Sequence, residues 1–226
     1  MPPFHIIDPT RLVVELAYTL IVVFLCFTIY YKTKDIFDLT KHEGIKYFRK
    51  TFLFFGLAYI SRFIFFLILL MAITFDVFYM GHIFGIFPLV FIGYFSTIGI
   101  LSLTYSVLWK KLHINHTFSK HIFLLFNIIA VLISGIAFFS RSPFILILAQ
   151  AVLLILTSII IARCILSNSR KTSRLYILYV LFFLFWIVNL FALGSRRFLP
   201  FEIQIVFQII SIVVIGIIYY KVAKWT

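Results

Sequence analysis

Arg62 is the one charged residue between Thr51 and Phe75. At about 1.5 Å of rise per residue it lies about 16 Å beyond Thr51, near the middle of a hydrocarbon layer roughly 30 Å thick. An arginine at that depth costs about 2.5–3.5 kcal/mol even on the lenient insertion scale. A buried partner or a water-filled cavity would offset that cost. Glu15 is the acidic residue inside another apolar run on the same side, with an axial gap to Arg62 on the order of 10 Å. Gln150, Gln208 and Asn189 fall about 10, 12 and 9 Å from the same edge by the same arithmetic. Gln204, Gln208 and Ser211 follow i, i+4, i+7 and form one polar stripe on a helix. Tyr94, Thr97 and Thr104 share a face in another run, where Gly93 with Thr97 permits close helix approach.

Three readings stand for this set. The polar groups are hydrogen-bonding glue between helices, or they line a pocket opening outward. In the pocket, Arg62 pairs with Glu15 or takes an anionic headgroup or ligand, with Gln150, Asn189 and Gln208 as neutral hydrogen-bonding partners. In the third reading, Arg62 snorkels past Tyr59 toward the opposite surface. Glu202 suits the first turn of its helix, where a carboxylate complements the dipole.

Other chemistry finds little support. His113, His116 and His121 are close in sequence, but no carboxylate or cysteine accompanies them as metal ligands usually require. Asn115-His116-Thr117 fits the glycosylation pattern, on a loop expected to face the cytoplasm. Cys26 and Cys164 make no metal spacing and no disulfide framework. There is no His-Glu-x-x-His, Gly-x-Ser-x-Gly or glycine-rich phosphate loop. The last apolar run has no lysine before Lys221 to hold retinal. Neither a cofactor, a metal nor an enzymatic activity is expected.

The elements that position these residues follow from composition. The chain has 226 residues, 64% of them apolar and 12% charged, against about 45–50% and 25% in soluble domains. Such a chain could not hide its apolar surface from water. It reads as an all-α, multi-pass protein of the cell membrane. Seven stretches are long enough to cross, at 12–31, 51–75, 83–109, 121–139, 143–166, 175–193 and 200–220. Together they make a single seven-helix transmembrane domain over 1–226. None shows the alternation of a membrane β-barrel. Asp8-Pro9 and Ser142-Pro143 are helix starts with a capping residue before a proline, and Leu199-Pro200 opens the last span. Thr40-Lys41-His42-Glu43 matches a capping box, which places the start of the second helix near residue 40. No basic region precedes the first run, so the first span is expected to remain in the mature chain.

Charge orients the bundle. The net charge of +13 points here to anionic lipid headgroups rather than to nucleic acid, because the basic residues lie between apolar runs. Fifteen of them fall in segments 32–50, 110–120, 163–174 and the tail, and four (Arg11, Arg141, Arg196 and Arg197) on the other side. The excess marks the cytoplasm, which puts the N-terminus outside and the C-terminus inside. Segment 32–50, with Lys46, Arg49 and Lys50 beside Ile45 and Phe48, is expected to lie on the headgroups or to dock a cytoplasmic partner.

Leu39-Thr40-Lys41-His42-Glu43-Gly44-Ile45-Lys46-Tyr47-Phe48-Arg49-Lys50 and the following Thr51-Phe52-Leu53-Phe54-Phe55-Gly56-Leu57-Ala58-Tyr59 resemble a stretch of uncharacterised archaeal seven-helix membrane proteins. The same stretch is similar to membrane sensor regions of some histidine kinases. The resemblance implies a receptor-like or sensor-like role and brings no catalytic residues. The expected function is response to a small molecule or lipid, passed to a cytoplasmic or membrane protein partner. Small-solute transport and a structural subunit role are the alternatives. Transport would need polar residues in the inner half, where Asn127 and Tyr59 are the main candidates.

Overall fold

A computed structural model of the chain describes residues 9–74, 83–112, 116–140, 143–167, 174–194 and 200–224. They form seven helices: α1 (Pro9–Thr40), α2 (Glu43–Thr74), α3 (Ile83–Leu112), α4 (His116–Ser140), α5 (Pro143–Ser167), α6 (Arg174–Gly194) and α7 (Phe201–Ala223). The protein is all-α. Each helix contains one of the apolar runs found in the sequence. Five of them, α1, α2, α3, α4 and α7, are long and apolar enough to cross a membrane over the described residues. His5, Asp8, His113, Asn115, Arg141, Ser142, Arg196 and Arg197 lie outside the described residues, as do the side chains of Lys111, His116 and Cys164.

Apolar side chains cover the outside of this bundle. Phe24, Leu124, Leu132, Phe139, Ile155, Val206 and Tyr220 are all exposed. In water that surface would aggregate, whereas against lipid tails it costs nothing. What holds membrane helices together is then close packing and interhelical polar contact. Both occur here. α1 packs on α2 and α7, α2 on α3, and α3 on α4 and α5; α5 also meets α4 and α6, and α6 meets α7. A ladder of aromatic rings ties α2 to α6. Phe52 meets Phe182 at 5.1 Å, and Phe55 meets Phe182 and Trp186 at 4.8 Å each. All three are edge-to-face, the orientation the ring quadrupole favours. Gly99 lets α3 close on this ladder, since a Cβ there would stand 2.6 Å from Phe55 Cε2. Gly93 does the same toward α5, where a Cβ would meet Leu146 at 2.7 Å.

Three sequence expectations change. Segment 32–50 is not a loop between spans, because α1 continues to Thr40 and α2 begins at Glu43. Each is 32 residues, or about 48 Å, so the pair outreaches a ~30 Å hydrocarbon layer. The charges that mark the end of a span do not mark the end of a helix, since a helix extends into water on its own hydrogen bonds. The capping box is the second correction. Thr40 does not cap α2 but closes α1, its Oγ1 donating to the Ile36 carbonyl at 2.7 Å. His42 supplies the carbonyl that accepts from Ile45 and Lys46. Between the helices Lys41 turns the chain with φ of 50°, a left-handed conformation that normally falls to glycine or asparagine. Likewise His116 and His121 belong to α4 rather than to a loop.

The turn is clamped to α3. Ser106 Oγ donates to the Gly44 carbonyl at 2.6 Å. Trp109 Nε1 donates to His42 Nε2 at 3.3 Å, with the rings edge-to-face. A Cβ on Gly44 would lie 2.9 Å from Trp109 Cδ1, so the indole fits there because the side chain is missing.

Candidate functional site

Glu15 and Tyr18 stand one turn apart on α1, and Tyr59 and Arg62 one turn apart on α2. At that spacing both members of each pair face the same neighbour. α1 and α2 pack against each other, and the faces meet. Arg62 Nη2 donates to Glu15 Oε2 at 2.6 Å, with side chains only 4% and 9% exposed. The guanidinium carbon lies 5.7 Å from the Tyr18 and Phe66 ring centres and 5.9 Å from that of Tyr59. Arg62 therefore points inward, and snorkelling past Tyr59 is not what it does. Pairing accounts for the charge. It does not account for every proton, because Arg62 Nε and Nη1 are buried without a hydrogen-bond acceptor among the described residues.

Next to the ion pair is a second polar group, and it is complete. Tyr18 donates to Asn189 Oδ1 at 2.5 Å, and Tyr59 donates to the same oxygen. Asn189 Nδ2 donates to the Phe185 carbonyl at 2.7 Å and to Ser211 Oγ at 3.0 Å. Ser211 and Tyr18 are 2.9 Å apart. The Tyr18 proton is already on Asn189, so Ser211 donates and the tyrosine oxygen accepts. Each of the five protons has a receiver, and the hub joins α1, α2, α6 and α7. In low dielectric such a network is worth most when none of its members is left over.

Gln150, buried on α5, donates to Ser96 of α3. Thr104 and Thr157 meet at 2.8 Å between the same two helices, and Tyr94 donates to Asn127 of α4 at 2.6 Å. These contacts are interhelical glue. Gln204 and Gln208 are buried on α7 in line with Ser211; of that stripe, Ser211 is the member that enters the hub. Glu202 is exposed in the first turn of α7.

Lys46, Arg49 and Lys50 are half-buried on α2 and turn to neighbours in the chain. Lys46 pairs with Glu43 at 3.1 Å. Arg49 Nε donates to the Tyr30 carbonyl at 3.1 Å, and its guanidinium covers the Tyr30 ring. Lys50 stands 4.2 Å from the Phe123 ring centre and 5.0 Å from that of Tyr47.

Tyr18 escaped the sequence reading, and Tyr59 entered it only as an inner-half candidate and as the ring that Arg62 would snorkel past. A tyrosine in an apolar run is ordinary and carries no mark of its own. The available signal was the i, i+3 spacing of each tyrosine with a charged residue.

No protein-family model matches the chain, and no solved structure matches it. A protein of Archaeoglobus fulgidus described only as uncharacterised is 30% identical over 228 aligned residues, which cover 99% of this chain and 95% of that protein. An alignment of that length spans all seven helices. The chain belongs to the family of that archaeal protein.

Proposed function

We propose that the chain is a receptor-like or sensor-like protein of the cell membrane, without enzymatic activity of its own. All seven helices cross the bilayer as one domain, N-terminus outside and C-terminus cytoplasmic. The site is the polar centre at Arg62 and Glu15 in the outer half. A small molecule or lipid bound there alters how α1 and α2 sit against α6 and α7, and a cytoplasmic or membrane protein partner reads the change. Lys46, Arg49 and Lys50 sit at the level of anionic headgroups, each worth up to ~1 kcal/mol there.

The observation that carries this reading is the pair of unpartnered Arg62 donors, buried beside a hub in which every proton is used. Pure glue gains nothing from such donors, because an unsatisfied buried group forfeits about 1–3 kcal/mol. Against transport stands the packing of α2 on α6, where Phe52, Phe55, Phe182 and Phe185 are fully buried below the hub. An aromatic plug offers no polar path to the inner surface.

Liposome flux tests the reading. Purified protein in sealed vesicles should pass ions and small polar solutes no faster than lipid alone. Flux that is catalysed by the wild type and lost in Arg62→Lys would make the protein a transporter.

A further inference from the structure

The charge and the unpartnered atoms at Arg62 restrict what can bind there, given the reading of that centre as a ligand site. Glu15 already neutralises the guanidinium at 2.6 Å. A bound anion would leave one net negative charge among Tyr18, Tyr59 and Phe66, in a setting where uncompensated charge is what costs most. A ligand without charge adds no such burden. The unpartnered atoms specify the rest. On the four helices joined by the hub, the buried side-chain atoms without a hydrogen-bond partner among the described residues are Arg62 Nε, Arg62 Nη1 and Trp186 Nε1. All three are donors that cannot accept. Trp186 stands one turn before Asn189 on α6, and Arg62 one turn beyond Tyr59 on α2. The free donors thus lie on either side of the hub along the bundle axis, about 9 Å apart by helical rise. Their surroundings are aromatic: Phe55 against Trp186, and three rings around the guanidinium.

We infer that the site takes a neutral, largely apolar molecule bearing oxygen acceptors, such as a ketone, ester or ether, free or as part of a lipid. This reverses the sequence expectation of an anionic headgroup or ligand at Arg62. A carboxylate would meet the charge of Glu15.

The test compares matched probes on delipidated protein in a fluorinated surfactant at neutral pH, with thermal unfolding as the readout. Methyl hexyl ketone and octanoate are similar in size and differ in charge. The wild type should be stabilised by the ketone at a concentration at least about tenfold below that of octanoate. Dioleoylphosphatidylcholine in a parallel titration identifies the source, since stabilisation by it and not by the ketone assigns the acceptor to a lipid ester. Arg62→Lys keeps a cation for Glu15 but removes the Nε and Nη1 donors, and should lose the response while remaining folded. Glu15→Gln removes the neutralising charge and should bring octanoate ahead of the ketone. Preference of the wild type for octanoate would overturn the neutral ligand class and leave a ligand site at Arg62 standing. Absence of response to every probe would overturn both. The wild-type comparison decides even if neither variant folds.

Discussion

Asn189 and Arg62 are buried alike, yet one is satisfied and the other is not, and that difference separates structure from site. The Asn189 amide is held from four directions, by Tyr18, Tyr59, Ser211 and the Phe185 carbonyl. Hydrogen bonds between membrane helices average about 0.6 kcal/mol and reach about 1.7 at most. Tyr59→Phe removes one donor and leaves Asn189 Oδ1 with Tyr18, so it should cost about 0.6 kcal/mol in SDS-induced unfolding. Asn189→Leu removes the common receiver and should cost about 2 kcal/mol, several bonds failing together. Equal costs would mean that the hub is not shared as described. Arg62, Glu15 and Asn189 were legible in the sequence because charged and amide side chains stand out in apolar runs. Tyr18 was not, since its hydroxyl counts for little beside its ring. Nor could spacing along single helices assign Gln150 to Ser96 rather than to Arg62; that depends on which helices are neighbours.

Among the elements, the turn between α1 and α2 and the contact between α2 and α3 are where small changes tell most. Lys41 adopts φ of 50°, which costs an L-residue about 1–2 kcal/mol. Its contacts recover little of this, for the Asp38 pair at 3.5 Å is exposed and such pairs are worth about 0–1 kcal/mol. Lys41→Gly should therefore stabilise the protein by about 0.5–1 kcal/mol after the added freedom of the unfolded chain. A loss of stability would show that Lys41 itself holds the turn. The glycines make a paired prediction. Gly99→Val drives its branches into Phe55, itself packed between Phe182 and Trp186, and should cost about 1–3 kcal/mol. Gly216→Ala has nothing within 4 Å to meet and should gain up to about 1 kcal/mol of helix propensity. The seven helices were legible because the bilayer demands long apolar runs. Their ends beyond the membrane were not, because hydropathy reports where lipid stops rather than where hydrogen bonding stops. The capping box at Thr40 failed for a local reason, as the hydroxyl donates back to Ile36 at 2.7 Å and accepts forward only from His42 N, at 3.5 Å and ahead of α2.

At the scale of the molecule, the proposed orientation rests on fifteen basic residues facing four. Single cysteines at His5 or Arg196 should react with an impermeant reagent in intact cells, and one at Lys111 should not; the reverse pattern would turn the site toward the cytoplasm. The proposed site depends on the ion pair at its centre, because Arg62 facing lipid would leave neither a site nor a reason for Glu15. Removing one partner of a buried pair costs about 3–5 kcal/mol, since it leaves the other charge uncompensated, whereas replacing both by apolar residues is often close to neutral. The most direct measurement is a double-mutant cycle of Glu15→Leu and Arg62→Leu followed by SDS-induced unfolding. Each single variant should lose about 3–5 kcal/mol, and the double variant should recover most of the loss, a coupling of at least about 2 kcal/mol. Small, additive losses would contradict the pairing and with it the proposed site.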